Sequence, residues 1–348
     1  MTDPGCSSDP EVMAGPPPLP VDPLTAAKKR VGQTLCGKWK IDRLIDTGGM
    51  AAVYEATHRN GKKVAIKMLF PHISAIAEVK ERFLREGYVA NKVDHPGAVS
   101  VLDDDKTDDG SVFLVMELLE GESLEGWLAR AGGTLRATDV LAVADQALDT
   151  LGAAHGKGVV HRDIKPANLF SLKTGQIKVL DFGLARLRDP AYGHAATAAG
   201  TVMGTAAYMP PEQARGKTDD IDARTDVFAM GAVMFRCLAG RFVHNQPKSD
   251  DRLFAAMKER APTLLSVLPS APVEIAQIVD RALTFERDGR YPTAAMMRLA
   301  VRSAYQTLRA RARKTEDPTT LRDPALAPFA ENEPSSVVVD LSFHQGSA

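Results

Sequence analysis

The stretch GVVHRDIKPANLF, residues 158–170, followed at 177–185 by IKVLDFGLA, decides how this chain is read. NLF and IKV are short apolar runs on either side of a turn containing Gly175, and they read as the two arms of a β-hairpin. Antiparallel pairing around that turn brings Asp181 back beside Ala167 and Asn168. Asp163, Lys165, Asn168 and Asp181 then converge on a small volume. Two carboxylates and an amide side by side suit a hard divalent cation such as magnesium, which takes oxygen ligands and keeps positions for phosphates. A charged turn or a helix-capping aspartate explains any one of these residues, but not all four together.

Working outward, residues 139–155 place Val140, Ala144, Ala147, Leu148, Leu151 and Ala154 at helical spacing, so a helix leads into the stretch. Further upstream, GKWKIDRLID and MAAVYEATH flank Gly48 and Gly49, HRNGKK supplies a second turn, and VAIKML reads as a third strand. Lys67 is the anomaly in that strand, because Ala65, Lys67 and Leu69 share one face. A buried ammonium needs a partner. The next helix, roughly 74–92, offers one: Val79, Phe83, Glu86 and Ala90 recur at helical steps, which places Glu86 on the apolar stripe. The alternative is an edge-strand lysine with its head in water and a glutamate at the stripe margin.

Composition sets the boundaries. The chain has 348 residues, 44% hydrophobic and 25% charged, as a soluble protein with a substantial core would. Its 43 basic and 44 acidic residues give a formal charge of -1, which supplies no electrostatic argument for nucleic acid or an anionic membrane. Cys6, Cys36 and Cys237 are too scattered for a disulfide framework or a metal site and fit a reducing cytoplasm. The acidic N-terminus lacks the pattern of a signal peptide, and the apolar run at 227–235 is too short to span a bilayer. Seven of the first 23 residues are proline, so residues 1–36 are expected to be disordered. Residues 306–348 are expected to form a disordered tail, its basic start at Arg309, Arg311, Arg313 and Lys314 being a solvated helix end.

Taken in order, VYEA, VAIK (64–67), HRDIKPAN (161–168), DFG (181–183), GTAAYMPPE (204–212), DVFAMG (226–231) and RDGRY (287–291) resemble the eukaryotic-like protein kinases. The likeness is strongest to their bacterial serine/threonine branch and covers about 37–305. It implies an α+β, bilobal protein-kinase fold. A small β-rich lobe with one key helix spans about 37–117, and a larger, mainly helical lobe about 120–305. It implies transfer of the γ-phosphoryl group of ATP to Ser/Thr hydroxyls of protein substrates, including the kinase itself through self-association, in cytoplasmic signalling. Magnesium, with manganese as a substitute, is the implied metal.

The resemblance also assigns roles. Asp163 accepts the substrate hydroxyl proton, Lys165 neutralises charge on the transferring group, and Asn168 and Asp181 hold the metal. Lys67, ion-paired with Glu86, binds the α- and β-phosphates. Ile45, Gly48, Gly49, Val53 and Ala65 surround the nucleotide, Met116 is the gatekeeper, and Glu117 and Leu119 bound the adenine-contacting hinge. Thr205 belongs to the substrate platform, while Glu212, Asp226 and Arg290 are structural. Thr197 and Thr201 are candidate activation-segment phosphosites, whose phosphate Arg162 would dock.

One stretch departs from the family pattern. In IDTGGMAAVYEA, residues 45–56, Asp46 and Ala51 replace family glycines. A carboxylate about 8 Å from phosphate, at an effective dielectric near 20, repels it by roughly 2 kcal/mol before screening. The expected outcome is a working kinase with weakened ATP binding. A pseudokinase would explain the loop but not the intact catalytic residues, and a small-molecule phosphotransferase would lack GTAAYMPPE.

Overall fold

A computed structural model describes residues 22–182 and 205–315. The smaller lobe is built on a six-stranded sheet: β1 (Thr34–Leu35), β2 (Trp39–Thr47), β3 (Ala51–His58), β4 (Lys63–Leu69), β5 (Val101–Lys106) and β6 (Val112–Glu117). Their order is β1-β2-β3-β4-β6-β5, and every neighbouring pair is antiparallel. α1 (Pro23–Lys28) packs on this sheet, and α2 (Pro71–Ser74) and α3 (Ala77–Val93) connect β4 to β5. Alternation along β4 separates two faces. Val64, Ile66 and Met68 enter the core with Trp39, Ile41, Tyr54 and Phe113, while Leu69 packs against Phe83 of α3.

The larger lobe follows through β7 (Gly121–Ser123), α4 (Leu124–Arg130) and α5 (Ala137–Gly156). A three-stranded sheet joins β7 to β8 (Leu169–Leu172) and β9 (Ile177–Val179). After the second described segment begins come α6 (Pro211–Ala214), α7 (Ala223–Ala239), α8 (Ser249–Lys258), α9 (Leu264–Val267), α10 (Val273–Ala282) and α11 (Ala294–Thr315). From Thr225 to Leu238 every residue of α7 except Arg236 is buried, which makes it the axis of this lobe. Among the described residues no helix is long and apolar enough to cross a membrane.

Two boundaries are corrected. Residues 22–36, expected to be disordered, include α1 and β1. The Asp22 carboxylate caps α1 by accepting the Thr25 amide at 3.0 Å, and Pro23 sits in the first turn, where its missing N–H costs nothing. Ala27 is buried, its carbonyl accepting the Tyr54 hydroxyl at 3.2 Å, and Arg30 pairs with Asp109. These few apolar anchors outweigh the proline-rich average of the stretch. At the other end α11 runs ten residues beyond Tyr305, with Arg311 paired to Glu274 of α10 at 2.5 Å. Residues 1–21 and 316–348, the remaining parts of the two expected disordered segments, lie outside the described residues.

Candidate active site

Lys67 lies on the β4 face turned to α3 and the cleft between the lobes, opposite Val53 of β3 and Leu114 of β6. On α3, Phe83, Glu86, Gly87, Ala90 and Val93 are buried. Gly87 allows this approach, since a Cβ there would come within 2.9 Å of the Leu114 side chain. Glu86 is thus on the inward stripe, as its spacing predicts. The expected Lys67–Glu86 ion pair, however, is not formed. Lys67 Nζ instead donates to Asp181 Oδ1 at 2.5 Å. Glu86 Oε1 is buried without a hydrogen-bond partner, and burial pushes its carboxyl up to about 8 despite the nearby charge of Lys67. The physical reason is competition: one ammonium faces two carboxylates, and it bonds the one that reaches it directly.

The stretch at 161–168 is shaped from below. Asp226, buried in the first turn of α7, accepts the backbone amides of His161 at 2.8 Å and Arg162 at 2.7 Å and pairs with His155 Nε2 at 2.7 Å. Burial raises its carboxyl, and these partners more than offset that, leaving it below the usual carboxylate range. The anchoring matters because Arg162 has φ of 67°, a left-handed conformation that a non-glycine residue holds only when its surroundings impose it. Gln213 adds a bond to the Arg162 carbonyl at 2.8 Å.

Asp163, only 6% exposed, follows, with Lys165 Nζ 3.1 Å from its Oδ2. Asn168 Nδ2 donates to the Asp163 carbonyl at 2.8 Å and to its carboxylate at 3.2 Å, which commits the amide nitrogen and not the oxygen. The hairpin register is as read from the sequence: Leu169 opposes Val179, and the Leu180 amide donates to the Asn168 carbonyl at 2.9 Å. Asp181 has φ of 57°, and burial acting to raise its carboxyl is outweighed by Lys67, so it stays below the usual range. His161 bonds the Leu180 carbonyl at 2.8 Å and meets the Phe182 ring edge-on. Asp163, Lys165, Asn168, Asp181 and Lys67 therefore do converge.

The donor types fit a divalent cation: the Asp181 carboxylate and the Asn168 amide oxygen. Among the described residues no cluster of three His, Cys, Asp or Glu side chains forms a ready metal cage, so phosphate oxygens and water would complete the shell. Above it, Gly48 and Gly49 join β2 to β3, with Asp46 paired opposite Val53. Burial raises the Asp46 carboxyl, the Thr47 amide and Lys67 pull it down, and Asp181 adds to the rise. Asp46 therefore shares the field of Lys67 and Asp181. Ile45, Val53, Met116, Glu117 and Leu119 are half-buried and Ala65 is 7% exposed.

Further from the cleft, Arg290 is 1% exposed and binds both Glu212 oxygens at 2.8 Å and the carbonyls of Thr284, Phe285 and Arg224. Thr205 begins a short turn, Thr205–Tyr208. Gly183, Thr197 and Thr201 lie outside the described residues. Sequence reasoning missed Lys178, 7% exposed inside β9 and bonded to Glu117. Its signal was the one that exposed Lys67: a lysine inside an apolar strand.

The protein kinase domain family matches residues 39–299. The chain is 35% identical over 319 residues to the serine/threonine-protein kinase Pkn1 of Myxococcus xanthus, covering 90% of this chain and 45% of Pkn1. It is 37% identical over 268 residues to the serine/threonine-protein kinase PknA of Mycobacterium tuberculosis, covering 75% of this chain and 60% of PknA. The matched region thus spans about half the length of these relatives. Among solved structures, a crystal structure of the kinase domain of Mycobacterium tuberculosis PknI superposes with a TM-score of 0.60 at 25% identity, covering 78% of this chain and 97% of that one.

Proposed function

The chain belongs to the protein kinase domain family, and on that premise we propose that it is a bacterial serine/threonine protein kinase that transfers the γ-phosphoryl group of ATP to protein hydroxyls, itself included, in the cytoplasm. The single observation that carries this is the meeting of Lys67, Asp163, Lys165, Asn168 and Asp181 around one volume.

Each residue then has a task its chemistry suits. Asp163, fixed by the Asn168 amide, takes the proton as the Ser or Thr oxygen attacks phosphorus. Lys165 neutralises charge on the transferring group. Asn168 and Asp181 would hold magnesium, or manganese, which would supply positive charge to stabilise the phosphates. Lys67 and Asp181, now paired with each other, would part on binding a triphosphate, freeing the lysine for phosphate and for Glu86. The peptide edge at 117–119 takes the adenine, below Met116. Asp46 opposes the phosphates and lowers affinity without touching the reacting atoms. The catalytic unit runs from about Asp22 to the end of α11. Phosphate on Thr197 or Thr201 would give Arg162 an anion to pair with, and mass spectrometry of the active protein tests whether either is modified.

The decisive experiment follows labelled phosphate from ATP to the protein itself and to a generic protein substrate. Asp163→Asn is expected to lower transfer by roughly 10²–10⁴-fold at unchanged thermal stability. Transfer by the variant at the wild-type rate, or no transfer by the wild type to any protein with either metal, overturns the proposal. Label appearing only on small molecules identifies a phosphotransferase of related fold instead.

A further inference from the structure

Lys178 is out of place for a lysine. All three residues of β9 are buried, Ile177 and Val179 in the core of the larger lobe and Lys178 on the opposite face, 7% exposed. Its ammonium donates to Glu117 Oε1 at 2.7 Å and to the Ala98 carbonyl at 3.3 Å. The same Glu117 oxygen accepts the Ser100 amide at 2.8 Å, and the Glu117 amide donates to the Ser100 carbonyl at 3.0 Å. Beside these contacts, Val179 forms a parallel bridge with Ala98, its amide reaching the Gly97 carbonyl at 2.7 Å. One ammonium thus ties together three segments: the strand that runs into Asp181, the segment that follows α3, and the last residue of β6, where the chain crosses between lobes.

We propose that Lys178 is a positioning residue for the nucleotide, stapling the interlobe connection at Glu117 to the strand that runs into Asp181. The proposal rests on the kinase reading above for what the connection binds. The Glu117 carboxylate keeps 29% of its surface in water, so the pair is only partly desolvated and contributes geometry more than stability. Its effect is preorganisation: the peptide edge at 117–119 and the carboxylate of Asp181 are held in one spacing before ligand arrives, so less order must be imposed on binding.

The test uses the full chain with Lys178→Met, which keeps the volume and removes the charge, and with Lys178→Arg, which keeps the charge. Lys178→Met is expected to raise the Kd of a fluorescent ATP analogue with magnesium about fivefold while kcat stays within a factor of about two. Lys178→Arg should recover most of the affinity. Glu117→Gln should weaken binding in the same direction, and the double variant no further. In nucleotide-free protein, the Ser100 amide should exchange its hydrogen about tenfold faster in Lys178→Met at an unchanged melting temperature. Unchanged exchange, or an unchanged Kd, overturns the staple. A wild type that binds no nucleotide refutes the kinase reading instead, and the exchange rates still decide the staple.

Discussion

Two buried glutamates, Glu212 and Glu86, each lie within reach of a cation, and they have opposite fates. Glu212 receives a two-pronged bond from Arg290, whose other hydrogens go to three backbone carbonyls and whose guanidinium lies over the Phe228 ring. The Thr225 hydroxyl donates to the same carboxylate. Glu86 keeps one oxygen without a partner and a carboxyl raised to about 8, while Lys67 bonds elsewhere. The brace is complete within its own lobe. The cleft instead sets one ammonium between two carboxylates and bonds it to only one of them, an arrangement that suits the proposed nucleotide site. A buried polar group left unsatisfied in a folded protein costs stability, so its persistence marks function.

The comparison breaks first at the brace. Arg290→Met should cost about 3–5 kcal/mol in urea unfolding, because it strands the Glu212 carboxylate in the core. A loss below about 1 kcal/mol would show that the brace is not what holds this lobe together.

Glu86 sharpens the contrast with the opposite sign. Its folded carboxyl, raised from 4.5 to about 8, holds a proton that the unfolded chain has released. Without nucleotide, stability should therefore fall as pH rises from about 4.5 to about 8 and flatten above. Glu86→Gln should remove that slope and exceed wild type by roughly 3–5 kcal/mol near pH 8.5, while lowering phosphotransfer. A variant less stable than wild type at that pH would mean the carboxylate is well paired after all.

The smallest effect belongs to the lid. Asp46→Gly should lower the Michaelis constant for ATP by up to about tenfold, or about 1.4 kcal/mol, with kcat nearly unchanged. An unchanged or higher constant would remove Asp46 from the phosphate field.

What was legible in the sequence follows the range of the forces involved. The hairpin that returns Asp181 to Asn168 is local, set by two apolar arms and a glycine turn, and its register is as read. Glu86 on the inward stripe of α3 is equally local. Which carboxylate wins Lys67 is a contest across 114 residues of chain, decided by where α3 and β9 come to rest, and no spacing encodes it. α1 was hidden differently: a stretch averaged as proline-rich contained a sound start signal, Asp22 before Pro23, that the average concealed. Lys178 was within reach, since a lysine between Ile177 and Val179 asks the same question as one between Ile66 and Met68.

Asp226 imposes an order on assembly. The loop it shapes, at His161 and Arg162, leaves the ribosome 65 and 64 residues before it does. Until α7 is made and docked, the left-handed turn at Arg162 lacks the two bonds that impose it. A chain cut short before Asp226 should therefore carry every residue of the loop at 161–168 without the two bonds that impose its left-handed turn.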